Sequence, residues 1–292
     1  MNGNHRNVAS QRPIATGLIG SGIQASGSPA LHMNEAAALG LNLSYQLFDL
    51  DQQPDGPASL PRVVRAVEQA GFAGVNITHP CKQTILPLVD ELSPDAAALG
   101  AVNTLIFANG RRIGHNTDWW GFAEGFRRTL PGASHRVVTQ LGAGGAGSAV
   151  AYAMLKMGTR QLNVFDVDRA KAAQVRNTLS KYFGEGRVTL IDTLPAALAA
   201  SDGVINTTPV GMAKYPGTPL PAALLRASMW VAEIIYFPLE TELLRAARML
   251  GCRTVDGGGM VVFQAAEAFR LFTGTVPDSA RMLVNFRNTI KA

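Results

Sequence analysis

In the second half of the chain, short, mostly apolar runs alternate with longer stretches of helix-forming residues. Residues 137–141, 162–165, 188–191, 203–206 and 230–235 read as strands, with 252–255 as a short sixth. Residues 148–157, 169–182 and 240–250 read as helices between them. Apolar runs without polar alternation suit strands covered on both faces, and their alternation with helices predicts a doubly wound parallel sheet. The first 117 residues repeat the alternation on a smaller scale. Strands are expected at 16–20, 43–49, 74–78 and 102–107, and helices at 29–39, 60–69, 84–91 and 94–99. The predicted fold class is α/β with two domains.

The predicted layout is a smaller substrate domain at 1–117, a Rossmann-type domain at 118–256, and C-terminal helices at 257–292 that return to the first domain. Within the first domain, 1–13 is expected to be a loose polar tail. Trp119, Phe122, Phe126 and Leu130 recur at helical spacing just after the junction and predict core between the domains. Gly257-Gly258-Gly259 reads either as a hinge or as a strand end facing a ligand.

Leu141 is followed by Gly142-Ala143-Gly144-Gly145-Ala146-Gly147, a G-x-G-x-x-G string between a predicted strand and a predicted helix. The first glycine permits the turn, the second lets the backbone approach a pyrophosphate, and the third lets helix pack on strand. The helix start then offers free N–H groups to the anion. Asp166 ends the next strand, 24 residues after Gly142. An acid there accepts hydrogen bonds from ribose hydroxyls and opposes a 2′-phosphate; two unit charges about 4 Å apart repel by roughly 4 kcal/mol at an effective dielectric near 20. Asp166 therefore argues for NAD over NADP. Asp168 is assigned to capping the following helix. Arg169 and Lys171 are the dissenting residues, able in principle to grip a phosphate.

Composition narrows the function classes. The chain is 47% hydrophobic and 16% charged, enough to bury cores. Cys81 and Cys252 make neither a disulfide framework nor a metal spacing, and a reducing cytoplasm is the simple expectation. No apolar run is long enough to span a membrane. The net charge of +5 comes from scattered basic residues without interleaved aromatics, which disfavours nucleic acid.

Hydride transfer from an alcohol also moves a proton, so a positioned acid–base group is needed. Lys82 follows Asn76-Ile77-Thr78-His79-Pro80-Cys81, and Asp118 ends His115-Asn116-Thr117-Asp118. By themselves a lysine and an aspartate so far apart read as a surface pair by default. Cys81 lacks a histidine–carboxylate arrangement and reads as packing. His79 is open between a site role and shaping a turn.

Seven motifs in order resemble the shikimate/quinate dehydrogenase family. They are Ser26-Gly27-Ser28-Pro29-Ala30-Leu31-His32, the Asn76–Lys82 string, Gly100-Ala101-Val102-Asn103-Thr104, Asn116-Thr117-Asp118, Asn206-Thr207-Thr208-Pro209-Val210-Gly211-Met212, Tyr236, and Gly257…Met260…Gln264. Thr207 replaces the family's alanine. The resemblance implies Lys82 as the acid–base group at the C3 oxygen, paired with Asp118. It implies Ser26 and Ser28 on the substrate carboxylate, and Thr78, Asn103, Tyr236 and Gln264 around the ring. It places Thr207, Pro209, Ile234 and Gly257 on the cofactor side. The NADP-using branch carries an Asn-Arg-Thr-type clamp where this chain has Phe165-Asp166-Val167-Asp168, so the likeness is to the NAD-dependent quinate/shikimate branch. The implied partner is a small cyclic hydroxy acid, quinate or shikimate, acted on by a monomer or homodimer without metal. An aminoshikimate-type dehydrogenase and a non-catalytic NAD-sensing regulator are the alternatives.

Overall fold

The apolar runs assemble into two six-stranded sheets in the computed structural model, which describes residues 13–291. Most of the expected N-terminal tail lies outside the described residues.

The first sheet contains β1 (Ile14–Gly20), β2 (Leu43–Asp49), β3 (Gly74–Ile77), β4 (Glu91–Leu92), β5 (Thr104–Ala108) and β6 (Arg111–His115), in the order β2-β1-β3-β5-β6-β4. Its helices are α1 (Ser28–Ala38), α2 (Leu60–Gln69), α3 (Cys81–Thr84) and α4 (Pro94–Leu99). Strand β1 pairs in parallel with β2 and β3, whereas β5 is antiparallel to both β3 and β6. Helix α4 shows local sequence control: the Ser93 side chain caps it, Pro94 opens it, and Gly100 at φ 59° ends it.

Two expectations fail here. The helix expected at 84–91 is only the single turn of α3 followed by a 3₁₀ turn at Leu86–Leu88. Pro87 lacks an N–H and disfavours helix in the residue before it. Strand β6 was not expected, because Arg111-Arg112 hides its apolar pattern. Its signal is the turn Asn109-Gly110, with φ of 54° and 72°, a hairpin geometry suited to these two residues. The hairpin matters for function: it brings His115 opposite Thr104, so Asp118 emerges beside Asn103.

The second sheet contains β7 (Val137–Leu141), β8 (Gln161–Phe165), β9 (Val188–Leu190), β10 (Gly203–Asn206), β11 (Trp230–Glu233) and β12 (Arg253–Val255). The order β12-β11-β10-β7-β8-β9 is parallel throughout and reverses direction between β7 and β10, where such sheets bind ligands. Its layers include α6 (Gly145–Lys156), α7 (Arg169–Phe183), α8 (Leu194–Ala200) and α9 (Glu242–Met249). Val138, Leu162, Val164, Ile205 and Val231 are fully buried, as strands covered on both faces require.

Helix α5 (Asp118–Thr129) carries the aromatic stripe into the core. Trp119 meets Tyr152 edge-on at 5.7 Å, and Phe126 meets Trp230 at 4.8 Å. Its other side lies against α10 (Gly258–Thr273). A Cβ at Gly121 would sit 2.5 Å from the Met260 carbonyl oxygen, and one at Gly125 would sit 3.3 Å from Gly259. The glycine triplet is therefore used for close packing: Gly258 and Gly259 form the first turn of α10, and a Cβ at Gly257 would overlap the Ile234 carbonyl. Helix α11 (Ser279–Lys291) reaches α1, where the fully buried Glu35 accepts from Arg281 Nε at 2.9 Å and Nη2 at 2.7 Å, and from the Asp278 N–H at 2.6 Å.

Candidate active site

Strand β7 delivers the chain into the glycine turn. Gly142 has φ 95°, and a Cβ there would lie 2.9 Å from the Thr207 backbone. A Cβ at Gly147 would lie 2.7 Å from the Gly142 carbonyl oxygen. These two glycines close the turn. Gly144 and Gly145 face open space, and α6 starts without a side-chain cap. The first-turn N–H groups of α6 are thus available to an anion, so the residues fit a dinucleotide pyrophosphate.

Asp166 and Asp168 are separated by what they hold. Asp166 Oδ2 accepts from the Ala143 N–H at 2.6 Å, which ties the end of β8 to the glycine turn. Asp168 is exposed and caps α7, accepting from the N–H groups of Ala170 at 3.0 Å and Lys171 at 3.4 Å. Arg169 and Lys171 are exposed and face acids, Asp192 at 2.6 Å and Asp168 at 3.5 Å.

Sequence reasoning missed Gln140. It is fully buried beneath the turn, and its Nε2 donates to the carbonyls of Gly142 and Gly147, both at 2.9 Å. Thr207 Oγ1 lies 2.9 Å from the same Gly142 carbonyl. The signal was a glutamine inside a mostly apolar strand, next to the glycines. Glu233 was missed as well. At the end of β11 it is buried against Asn206 Nδ2 at 3.1 Å and Thr241 Oγ1 at 3.2 Å, and burial pushes its carboxyl up to about 7. Asn206 also accepts from the Thr208 N–H and hydroxyl, at 2.9 and 2.7 Å, which shapes the loop after β10.

Thr207, Pro209, Ile234 and Tyr236 line one cavity of about 920 Å³ together with Gly144, Gly145 and Ala146. Gly27 and Ala30 from the start of α1, and Phe286 from α11, also line it, with the Phe286 ring 6.4 Å from that of Tyr236. A smaller cavity of about 180 Å³ is shared by Gln83, Ala143, Gly144 and Lys171, which places α3 across from the glycine turn.

Lys82 and Asp118 are brought together from α3 and the start of α5. Lys82 Nζ donates to Asp118 Oδ2 at 2.6 Å, with the lysine side chain 28% exposed and the aspartate 11%. Asn103 Nδ2 donates to Asp118 Oδ1 at 2.9 Å and to Thr117 Oγ1 at 3.0 Å. Asn103 Oδ1 accepts from the Thr117 N–H at 2.7 Å. Gln264 on α10 joins at the edge, 3.5 Å from Thr117 Oγ1. Thr78 is half-buried at the end of β3, four residues before Lys82. Ser26 Oγ accepts from the Ser28 N–H at 3.2 Å at the start of α1. Neither Lys82 nor Asp118 lines the large cavity. Cys81 is buried in the core beside Ile77 and Ile85, and burial pushes its thiol up, which suits packing. An amine open on one side and held by a buried carboxylate on the other can exchange a proton with an oxygen placed against it. Among the described residues, no group of His, Cys, Asp and Glu could hold a metal ion, and no helix is long and apolar enough to cross a membrane.

The substrate-binding domain of shikimate dehydrogenase matches residues 18–105. Over 277 residues, covering 94% of this chain and 95% of the relative, the chain is 54% identical to "Shikimate dehydrogenase (NADP(+))" of Streptomyces avermitilis. It is 46% identical to "Quinate/shikimate dehydrogenase (NAD(+))" of Corynebacterium efficiens, over 94% of this chain and 97% of that one. Quinate dehydrogenase from Corynebacterium glutamicum in complex with NAD superposes with a TM-score of 0.91 at 43% identity, over 94% of this chain and 99% of that one. The chain belongs to the shikimate dehydrogenase family.

Proposed function

We propose that this protein transfers hydride between NAD and the C3 position of quinate or shikimate. The observation that carries the reading is the Lys82–Asp118 pair at 2.6 Å, with Asn103 on the second carboxylate oxygen. In the oxidation direction, Lys82 Nζ takes the proton from the substrate hydroxyl. In reduction it returns that proton to the carbonyl oxygen. Asp118 holds Nζ in place and accepts from a neighbouring ring hydroxyl. Ser26 and Ser28 hold the ring carboxylate, and Thr78, Asn103, Tyr236 and Gln264 satisfy the ring oxygens; a polyhydroxylated acid needs several such partners. The dinucleotide supplies the hydride acceptor or donor. Gly142, Ala143, Gly144, Gly145, Ala146 and Gly147 cradle its pyrophosphate, while Thr207, Pro209, Ile234 and Gly257 border its nicotinamide end.

The choice of NAD rests on Asp166. Relatives bear the names of either nucleotide, whereas here an acid on the Ala143 N–H stands where a 2′-phosphate would be repelled. The deciding experiment follows absorbance of the reduced nicotinamide with quinate and shikimate, each against NAD and NADP. Turnover with NAD and either ring acid is the expected result. Preference for NADP would overturn the nucleotide assignment, and no turnover with either acid would overturn the reaction.

A further inference from the structure

Four residues with no assigned role in the reaction lie behind the Lys82–Asp118 pair: Tyr45, Asn76, Thr104 and Thr117. The Tyr45 hydroxyl, on β2, donates across the intervening strand β1 to Asn76 Oδ1 on β3 at 2.8 Å. Asn76 Nδ2 donates to Thr104 Oγ1 on β5 at 3.0 Å. Thr104 Oγ1 donates to Asn103 Oδ1 at 3.0 Å. Asn103 Nδ2 then donates to Asp118 Oδ1 at 2.9 Å. Four consecutive hydrogen bonds therefore run in one direction and end on the carboxylate that holds Lys82.

The direction is not free to reverse. The Thr104 hydroxyl has one proton, and because it accepts from Asn76 that proton goes to Asn103. The second Asn76 proton goes to the Asn103 carbonyl at 3.3 Å, and the second Asn103 proton goes to Thr117 Oγ1. Both amides have their donor protons placed, so neither is available to flip. The four residues that lead to Asp118 are each more than nine-tenths buried, from Thr104 at 0% exposure to Asn76 at 7%. In such surroundings each donation polarises the next. The Tyr45 ring is itself fixed by stacking on His32 at 4.7 Å.

We propose that Tyr45, Asn76 and Thr104 are positioning residues that act on catalysis through Asn103 and Asp118, an inference that rests on the acid–base reading above. They keep the Asn103 amide donating to Asp118 Oδ1, which keeps Oδ2 aimed at Lys82. None touches the reacting atoms.

The test is a double-mutant cycle read by single-turnover hydride transfer at high enzyme concentration, with NAD and whichever ring acid turns over. Tyr45→Phe keeps the stacked ring and removes the donor; Thr104→Val removes the central hydroxyl. Each is expected to slow hydride transfer about five- to tenfold in the otherwise native enzyme, and less than about twofold in an Asp118→Asn background. Thr104→Ser, which keeps the hydroxyl, is expected to restore the rate that Thr104→Val loses. Equal losses in both backgrounds would mean an ordinary packing defect and would overturn the proposal, as would unchanged rates in both single variants. If Thr104→Val does not fold, Tyr45→Phe decides alone. The underlying reading fails separately: wild-type turnover in Lys82→Ala sinks it whatever Tyr45→Phe does. An inactive Lys82→Ala beside an unimpaired Tyr45→Phe leaves that reading standing and removes only this one.

Discussion

At the glycine turn, the groups offered to a ligand are backbone N–H groups at the start of one helix, and the residues that form the turn are consecutive. At the Lys82 cluster, the groups are side chains from α3, the residue before β5, the start of α5 and α10, which come together only when the first sheet and α10 have assembled. A backbone site needs absence of side chains: a Cβ at Gly142 or Gly147 would collide with backbone within 3 Å. A side-chain site needs presence and exact satisfaction of buried polar groups, because an unpaired buried partner costs about 1–3 kcal/mol. The two regions should therefore fail differently when altered.

The largest effect is expected at Lys82. Lys82→Ala should cut kcat by about a hundredfold or more, with cofactor affinity measured by fluorescence titration unchanged. A parallel loss of cofactor affinity would mean that the two regions are not separable in this way.

Glu233, like Gln140, belongs to a buried side-chain network at the edge of the backbone-built site. Its carboxyl is raised by burial to about 7 from an ordinary value of 4.5. The native state therefore holds a proton that the unfolded chain releases between those values. This contribution to stability is fully present below pH 4.5 and is lost as pH rises through 7, by about 3 kcal/mol in total. Urea unfolding at a series of pH values should show that slope, and Glu233→Gln should flatten it. An unchanged slope in Glu233→Gln would place the titration elsewhere.

A smaller effect is expected from Gly147→Ala. Its methyl would force the Gly142 carbonyl to shift, at a cost of about 1–3 kcal/mol, and weaken cofactor binding about tenfold to a hundredfold. Hydride transfer at saturating cofactor should be nearly unchanged, the reverse of the Lys82→Ala pattern. Smallest is Asp166→Ala: Asp166 is only half-buried, and where solvent borders the site the 4 Å repulsion falls from about 4 to about 1 kcal/mol, so the NAD-to-NADP preference is expected to shift about fivefold toward NADP. Unchanged preference there, with a shift in Asp168→Ala, would move the nucleotide contact to the residue that caps α7.

The second sheet was the more legible half, for the same reason. Parallel strands buried on both faces are written as mostly apolar runs, and β7, β8, β10 and β12 fall within a residue of where those runs predict them. The first sheet mixes parallel and antiparallel pairs, so β6 carries two arginines and escaped notice despite the Asn109-Gly110 turn. Gly258 and Gly259 stayed open between a hinge and a strand end facing a ligand because glycine has the same signature whether it bends the chain, borders a ligand or admits another helix; only α5 lying against them shows the close packing. Gln140 was legible as an oddity in an apolar strand but not as a brace, since its partners are carbonyls of a turn whose shape the sequence does not print.

What the sequence determined by itself was the α/β alternation, the glycine turn with its acid at the end of β8, and the chemical types present in the first sheet's loops. Each of these depends on interactions within a few residues or on a repeating pattern of burial. Tertiary structure alone decided that Lys82 meets Asp118 instead of solvent, that Asn103 donates to that carboxylate, and that Tyr45 stands at the far end of the same chain of hydrogen bonds. Those contacts join residues up to 36 positions apart in sequence across a sheet whose strand order is not sequential. Their geometry is set by register and by the satisfaction of buried donors, neither of which is encoded at a single position.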